Sequence, residues 1–281
     1  MKNISIKIRR RTLQIGTAPV FVILPLLNQH HCNLFYGNFL AFHAAGLPLA
    51  DPLAVLQVSL MSLHLSSSLL IGAVLALLLA ACLGTVFCSW ACPFGLLSEW
   101  AHGLSRRLLK RGLRIPSGYR GLTVKSILFS LGLAGIIFFF GSPALNRVSM
   151  PGWYSRIFQM LAGQAYLSMA IYFMAGILLI EFAARERIWC TYICPQAYLL
   201  VLSKIANPFH LKVEWSPKKC ICGKDDSPCQ RSCSLSLDPR MLKELPDTEC
   251  NNCGDCVAAC GDMGKALEFR FGSGRGLPDS D

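Results

Sequence analysis

Two stretches of the chain carry thiols in the same frame. Phe87-Cys88-Ser89-Trp90-Ala91-Cys92-Pro93 and Trp189-Cys190-Thr191-Tyr192-Ile193-Cys194-Pro195 share one pattern: aromatic, Cys, hydroxyl, aromatic, aliphatic, Cys, Pro. A phrase of that length does not recur by chance, so the thiols are expected to have equivalent places and a shared role. Two cysteines at i and i+4 face the same way on a helix, and the proline marks where a helix stops or restarts. Brought together, Cys88, Cys92, Cys190 and Cys194 offer four convergent thiols: a metal site, a pair of redox dithiols, or a docking point for a cluster. Arg185 and Arg187 nearby favour thiolates. The plain alternative is four cysteines that serve as small packing residues.

A second set of thiols ends the chain. Cys250-Asn251-Asn252-Cys253-Gly254-Asp255-Cys256-Val257-Ala258-Ala259-Cys260 has the spacing C-x2-C-x2-C-x3-C. In bacterial ferredoxins this spacing wraps three thiolates around one [4Fe-4S] cube, while the fourth cysteine reaches the other cube. Zinc modules separate their cysteine pairs by a longer stretch. Ahead of it, Cys220, Cys222, Cys229 and Cys233 are spaced C-x1-C-x6-C-x3-C, with Gly223 to Pro228 inserted. Cross-ligation then predicts one cube on Cys250, Cys253, Cys256 and Cys233, and a second on Cys220, Cys222, Cys229 and Cys260. The irregular first set leaves a different metal or a labile cluster as the alternative.

What must position these thiols is largely apolar. The mean hydropathy is +0.45, and 53% of residues are hydrophobic against 15% charged, which departs from soluble averages. The runs 63–87, 124–141 and 157–182 can each cross a bilayer core, which needs roughly 20 apolar residues; the run 12–27, broken by Gly16, Pro19 and Pro25, is the weakest. The first run follows a basic stretch as a signal peptide does, but Asn28-Gln29-His30-His31 offers no small-residue cleavage site, so it is read as a retained helix.

The net charge of +11 has a distribution that fits a membrane better than nucleic acid. No Lys or Arg lies between Arg11 and Arg106, and basic residues then crowd 106–125 and follow Arg185. Basic loops stay in the cytoplasm, which predicts an inner-membrane protein with both termini inside and no nucleic-acid partner. Twelve of the fourteen cysteines, all but Cys32 and Cys82, then lie on the cytoplasmic side, where thiols stay reduced and serve as ligands. The expected fold class is an all-α membrane protein: four transmembrane helices with a C-terminal cytoplasmic ferredoxin-like domain binding two [4Fe-4S] clusters. The divisions are 1–206 for the membrane domain, 207–271 for the ferredoxin-type domain and 272–281 for a flexible tail. An ionisable residue at membrane depth is a functional candidate by default, and the candidates here are His30, His31, His43, His64 and Asp51 on the outer side and Glu181 at an inner helix end.

Taken together, Arg9-Arg10-Arg11 before the first span, Pro48-Leu49-Ala50-Asp51-Pro52-Leu53 with Leu56-Gln57, the two C-x3-C-P phrases, Ser142-Pro143 with Val148-Ser149, and the ferredoxin tail follow a known order. The chain resembles the NapH-type membrane proteins of the periplasmic nitrate reductase system and their relative MauN. The resemblance implies quinol oxidation through iron–sulfur centres that feeds a periplasmic reductase system by way of a ferredoxin-like or cytochrome partner subunit. The alternatives are an electron donor for cofactor maturation in another enzyme, as in methylamine dehydrogenase biogenesis, and a non-catalytic metal-handling membrane protein.

Overall fold

The computed structural model describes residues 2–29, 35–38, 41–44, 47–62, 67–108, 121–135, 148–154, 157, 167–222, 227–241, 249–261 and 263–272. Helices dominate. α1 (Lys2–Gln29) is followed by three short strands, β1 (Phe35–Asn38), β2 (Ala41–Ala44) and β3 (Leu47–Ala50). Next come α2 (Pro52–Ser62), α3 (Ser67–Leu83), α4 (Val86–Trp90), α5 (Pro93–Leu108), α6 (Gly121–Gly135), α7 (Leu167–Ala184) and α8 (Pro195–Ala206). The C-terminal part holds β4 (His210–Trp215), the short helices α9 (Pro228–Ser232) and α10 (Asp255–Cys260), and β5 (Leu267–Gly272).

The fold is therefore mostly helical but not all-α. β1, β2 and β3 form an antiparallel sheet with Tyr36 opposite His43 and Phe42 opposite Leu49. Pro48, which has no N–H to give to a ladder, falls on β3, an outer strand of that sheet, where it is tolerated. β4 and β5 pair antiparallel from His210 opposite Gly272 to Trp215 opposite Leu267, closing the C-terminal part on itself.

Among the described residues no helix is both long and apolar enough to cross a membrane. α3, at seventeen residues, is roughly 25 Å long at 1.5 Å per residue. Its flank is apolar and uncovered: Ile71, Leu78 and Leu79 are exposed, as are Ile127 and Leu131 on α6 and Leu179 and Ile180 on α7. Cys32, His30, His31 and His64 lie outside the described residues.

The core is divided. One cluster joins Cys92 and Phe94 to Met150, Met174 and Ile177. Another, in the C-terminal part, consists of Val213, Cys229, Cys256, Val257, Cys260, Ala266 and Leu267, with Ile6 of α1 packed against it. Cysteines make up nearly half of that second cluster, as expected for a small domain whose folding energy comes from what its thiols hold.

Candidate metal centres

The two C-x3-C-P phrases fold alike at their ends. The Cys92 N–H donates to the carbonyl of Phe87 at 2.9 Å and the Cys194 N–H to that of Trp189 at 2.9 Å, each a wide i to i+5 turn. The second cysteine of each phrase then accepts the first bond of the next helix, from Leu96 to Cys92 and from Tyr198 to Cys194, both at 3.3 Å. Pro93 and Pro195 open α5 and α8, positions where a missing N–H costs nothing. The i to i+4 helical spacing expected from sequence is thus replaced by a wider turn that stops one helix and starts another. Between the turns, Cys88, Cys92, Cys190 and Cys194 line one cavity together with Arg187 and Lys125.

The tail thiols divide between two further cavities. Cys233, Cys250, Cys253 and Cys256 line one, and Cys220, Cys222, Cys229 and Cys260 line the other. α9 and α10 connect them, since Cys229 and Cys233 bracket α9 as Cys256 and Cys260 bracket α10. Asn251 and Leu235 line both the C-x3-C-P cavity and the Cys250 cavity, so these two adjoin through a shared wall. Among the described residues no group of three or more His, Cys, Asp or Glu converges tightly enough to grip a single metal ion. Each set is a lining of four thiols around a space; a cube with iron at four corners holds its thiolates farther apart than one ion does.

The cluster loop is held against the helical part by its own carbonyls. Thr85 donates to the carbonyl of Cys250 at 3.1 Å, Ser89 to that of Asn251 at 2.7 Å, Trp90 Nε1 to that of Asn252 at 3.2 Å, and Arg10 to that of Cys253 at 3.2 Å. Four consecutive peptide groups are thereby satisfied by side chains from α1, from Thr85 and from the first C-x3-C-P phrase. Asn252 returns the contact: its amide donates to the carbonyl of Leu83 at 3.2 Å. Gly84 makes that approach possible. It sits at φ 74°, the left-handed conformation that ends α3, and a Cβ there would meet the Asn252 amide at 2.8 Å.

Beneath the loop lies a buried charge network. Arg10, 1% exposed, pairs with Glu99 at 3.1 Å and Asp255 at 3.0 Å; Glu99 is also approached by Arg11 at 2.9 Å and Arg187 at 3.6 Å. Arg187 in turn donates to Ser98 at 3.1 Å and lies 3.9 Å from the Cys190 sulfur, while Ser98 donates to Glu181. The roles of Arg10 and Glu99 escape a sequence reading, because Arg9-Arg10-Arg11 looks like an ordinary topology signal; Arg187 and Glu181 stand out in the sequence, but not as members of one network. Only the acidic partner in the cluster loop, Asp255, hints at more.

Burial governs the thiols. It pushes Cys92 up to about 12, with Cys194 adding to the effect and the Gly95 and Phe94 amides opposing it. Burial likewise raises Cys88, Cys190 and Cys194 despite the opposing Arg187 or Lys125 charges. The expectation that Arg187 would favour thiolates is overridden, since desolvation of four enclosed sulfurs outweighs one guanidinium. Such thiols are inert as free nucleophiles, and the charge of bound iron would reverse that balance by deprotonating them. The same holds for Cys253 and Cys256, both raised by burial first. The four cysteines that line each tail cavity are a donor set that fits an iron–sulfur cluster.

Asp51 is the residue that the structure moves. Expected on the outer side of the connection between the first two spans, it instead lies at the cysteine end of α3, lining an apolar cavity with Gly84, Phe87, Trp90 and Gln196.

A family described as "4Fe-4S binding domain" matches residues 66–112 and 167–206, the two segments that carry the C-x3-C-P phrases. The chain is 28% identical to the ferredoxin-type protein NapH of Escherichia coli (strain K12), over 94% of this chain and 90% of that protein. It is 28% identical to the methylamine utilization ferredoxin-type protein MauN of Paracoccus denitrificans (strain Pd 1222), over 66% of this chain and 62% of that one. It is also 30% identical to the putative electron transport protein YccM of Escherichia coli over 71% of this chain, but spans only 54% of the length of that relative. No solved structure matches. Fold and thiols define an iron–sulfur electron-transfer protein. The chain is similar to ferredoxin-type proteins such as NapH and MauN.

Proposed function

We propose that the protein spans the bacterial inner membrane with both termini in the cytoplasm, oxidises a membrane quinol, and passes electrons towards a periplasmic reductase system through a ferredoxin-like or cytochrome subunit. The observation that carries this reading is the continuity of the thiol-lined cavities. The C-x3-C-P cavity adjoins the Cys250 cavity through Asn251 and Leu235, and α9 and α10 join that to the Cys220 cavity.

Cys250, Cys253, Cys256 and Cys233 hold one [4Fe-4S] cluster in this reading, and Cys220, Cys222, Cys229 and Cys260 a second. Cys88, Cys92, Cys190 and Cys194 hold a further metal or redox centre. Iron–sulfur clusters supply one-electron carriers, which a two-electron quinol donor requires. The chain's own residues fix the spacing: Thr85, Ser89, Trp90 and Arg10 clamp the cluster loop onto the first phrase. The uncovered apolar flanks of α3, α6 and α7 and the clustering of basic residues support membrane burial.

The test is anaerobic membranes holding the protein and its neighbouring subunits, followed by electron paramagnetic resonance before and after adding a quinol. Quinol-dependent reduction of the cluster signals is expected. Intact clusters that quinol never reduces would favour the second reading, supported by the likeness to MauN, of an electron donor in the maturation of another enzyme's cofactor. Absence of iron and acid-labile sulfide would favour the metal-handling reading.

A further inference from the structure

Beside the C-x3-C-P cavity is a larger one of a different character. It encloses about 360 Å³, within the range of small-molecule sites. Ala76, Ala80, Leu200 and Phe87 are typical of its lining, and Leu79 and Leu83 carry it to the exposed flank of α3. Phe87 and Gln196 also line the C-x3-C-P cavity, so the two spaces share a wall.

Two polar residues interrupt the apolar lining. Asp51 is 7% exposed; its Oδ1 accepts the Leu53 N–H at 3.1 Å, while Oδ2 has no hydrogen-bond partner among the described residues. Gln196 is 6% exposed and its Oε1 is likewise unpartnered. Buried polar atoms without partners are rare and need an explanation. Both of these are acceptors, and among the described residues no Lys or Arg lines the cavity. A ligand here must be largely apolar and must bring hydroxyl or N–H donors. An anionic lipid headgroup or fatty-acid carboxylate would meet Asp51 with no cation to offset it, and a bare acyl chain would leave both acceptors unsatisfied.

We propose that this cavity seats the ring of a hydroquinone, flanked by Phe87 and Trp90, with one hydroxyl donating to the Asp51 carboxylate and Gln196 offering a second acceptor. The isoprenoid tail leaves past Leu79 and Leu83 along α3. This rests on the quinol reading above and names its site. It puts the ring one wall from Cys88 and Cys194, and it gives Asp51 a role that its expected place on the outer side could not.

The test uses the full chain with its clusters, in lipid nanodiscs under argon. A photoreactive azidoquinone analogue is crosslinked and mapped by mass spectrometry, and a short-chain ubiquinol analogue is titrated in competition. Label is expected on peptides covering 50–52 and 79–91. Asp51→Asn keeps an acceptor for the Leu53 amide but removes the charge, and should weaken ubiquinol competition about tenfold, the value of a charge-assisted hydrogen bond. Ala80→Phe should abolish saturable labelling while iron content is unchanged. Label elsewhere, unchanged competition in Asp51→Asn, or displacement by a plain alkyl chain as effective as by ubiquinol would each overturn the site and leave the quinol reading standing. Absence of saturable ubiquinol competition in the unaltered protein would overturn both. Should Ala80→Phe lose iron, the mapping and Asp51→Asn decide the matter.

Discussion

Arg10, near the start of the first helix, and Asp255, in the cluster loop, lie 245 positions apart in the chain, yet their side chains pair at 3.0 Å. The guanidinium also reaches Glu99 and the Cys253 carbonyl, so one side chain ties α1, α5 and the cluster loop together. Removing one partner of a buried ion pair leaves uncompensated charge and costs on the order of 3–5 kcal/mol. Arg10→Ala should therefore loosen the C-terminal part, measured as faster hydrogen exchange over 207–271 and a lower melting temperature. Arg10→Lys keeps the charge but lacks the fork that serves three acceptors, and should recover only part of the loss. Exchange rates unchanged in Arg10→Ala would show that the network holds nothing.

The partition of tail thiols between two cavities makes a specific expectation for cysteine variants. Cys233→Ser and Cys253→Ser should remove the same cluster and give the same residual spectrum, although the residues lie in separate motifs. Cys260→Ser should instead remove the signal that Cys222→Ser removes. Each single change should take away about half of the tail's iron and unfold its surroundings, because cluster binding is folding energy in so small a domain. Iron analysis with paramagnetic resonance checks this; Cys233→Ser sparing the Cys253 cluster would refute the cross-ligation.

The grouping of the tail thiols around two cavities follows the ferredoxin-like spacing of the sequence; that each group holds a cluster is the proposal made above. The restart of helices at Pro93 and Pro195 was legible locally. Asp51 was not. Which end of the molecule a connection visits depends on where the chain returns, and nothing between Asn28 and Ser62 marks that return locally. The β1–β3 sheet escaped because its strands are four residues each and one contains Pro48, which argues against a strand unless it lies at an edge. Arg10 was seen only as a topology charge, because a pair separated by 245 positions leaves no periodic trace.

Gly84 offers a test of how closely the loop must dock. Its φ of 74° is strained for any side chain, and a Cβ would collide with the Asn252 amide at 2.8 Å. Gly84→Ala should cost about 1–3 kcal/mol, from left-handed strain together with displacement of Asn252. Asn252→Ala should cost a comparable amount, since it removes the bonds to Leu83 and Leu211 and puts Ala at a φ of 53°. Thermal unfolding followed by cluster absorbance measures both, and a Gly84→Ala protein as stable as the unaltered one would mean that the loop accommodates the collision.

The final expectation concerns Cys88, Cys92, Cys190 and Cys194, which line one cavity although they come from two phrases about a hundred residues apart. If they act as one unit, loss of any one disables the whole, and further losses add little. Cys88→Ser and Cys190→Ser should each abolish the centre, and the double variant should be no worse than either. If they serve only as small packing residues, serine in two separate, buried places should give independent costs that sum. Quinol-dependent reduction of the tail clusters measures the functional effect, and iron content per chain measures the centre itself. Two losses that multiply in rate while iron per chain stays constant would mean that the four thiols share a wall and nothing more.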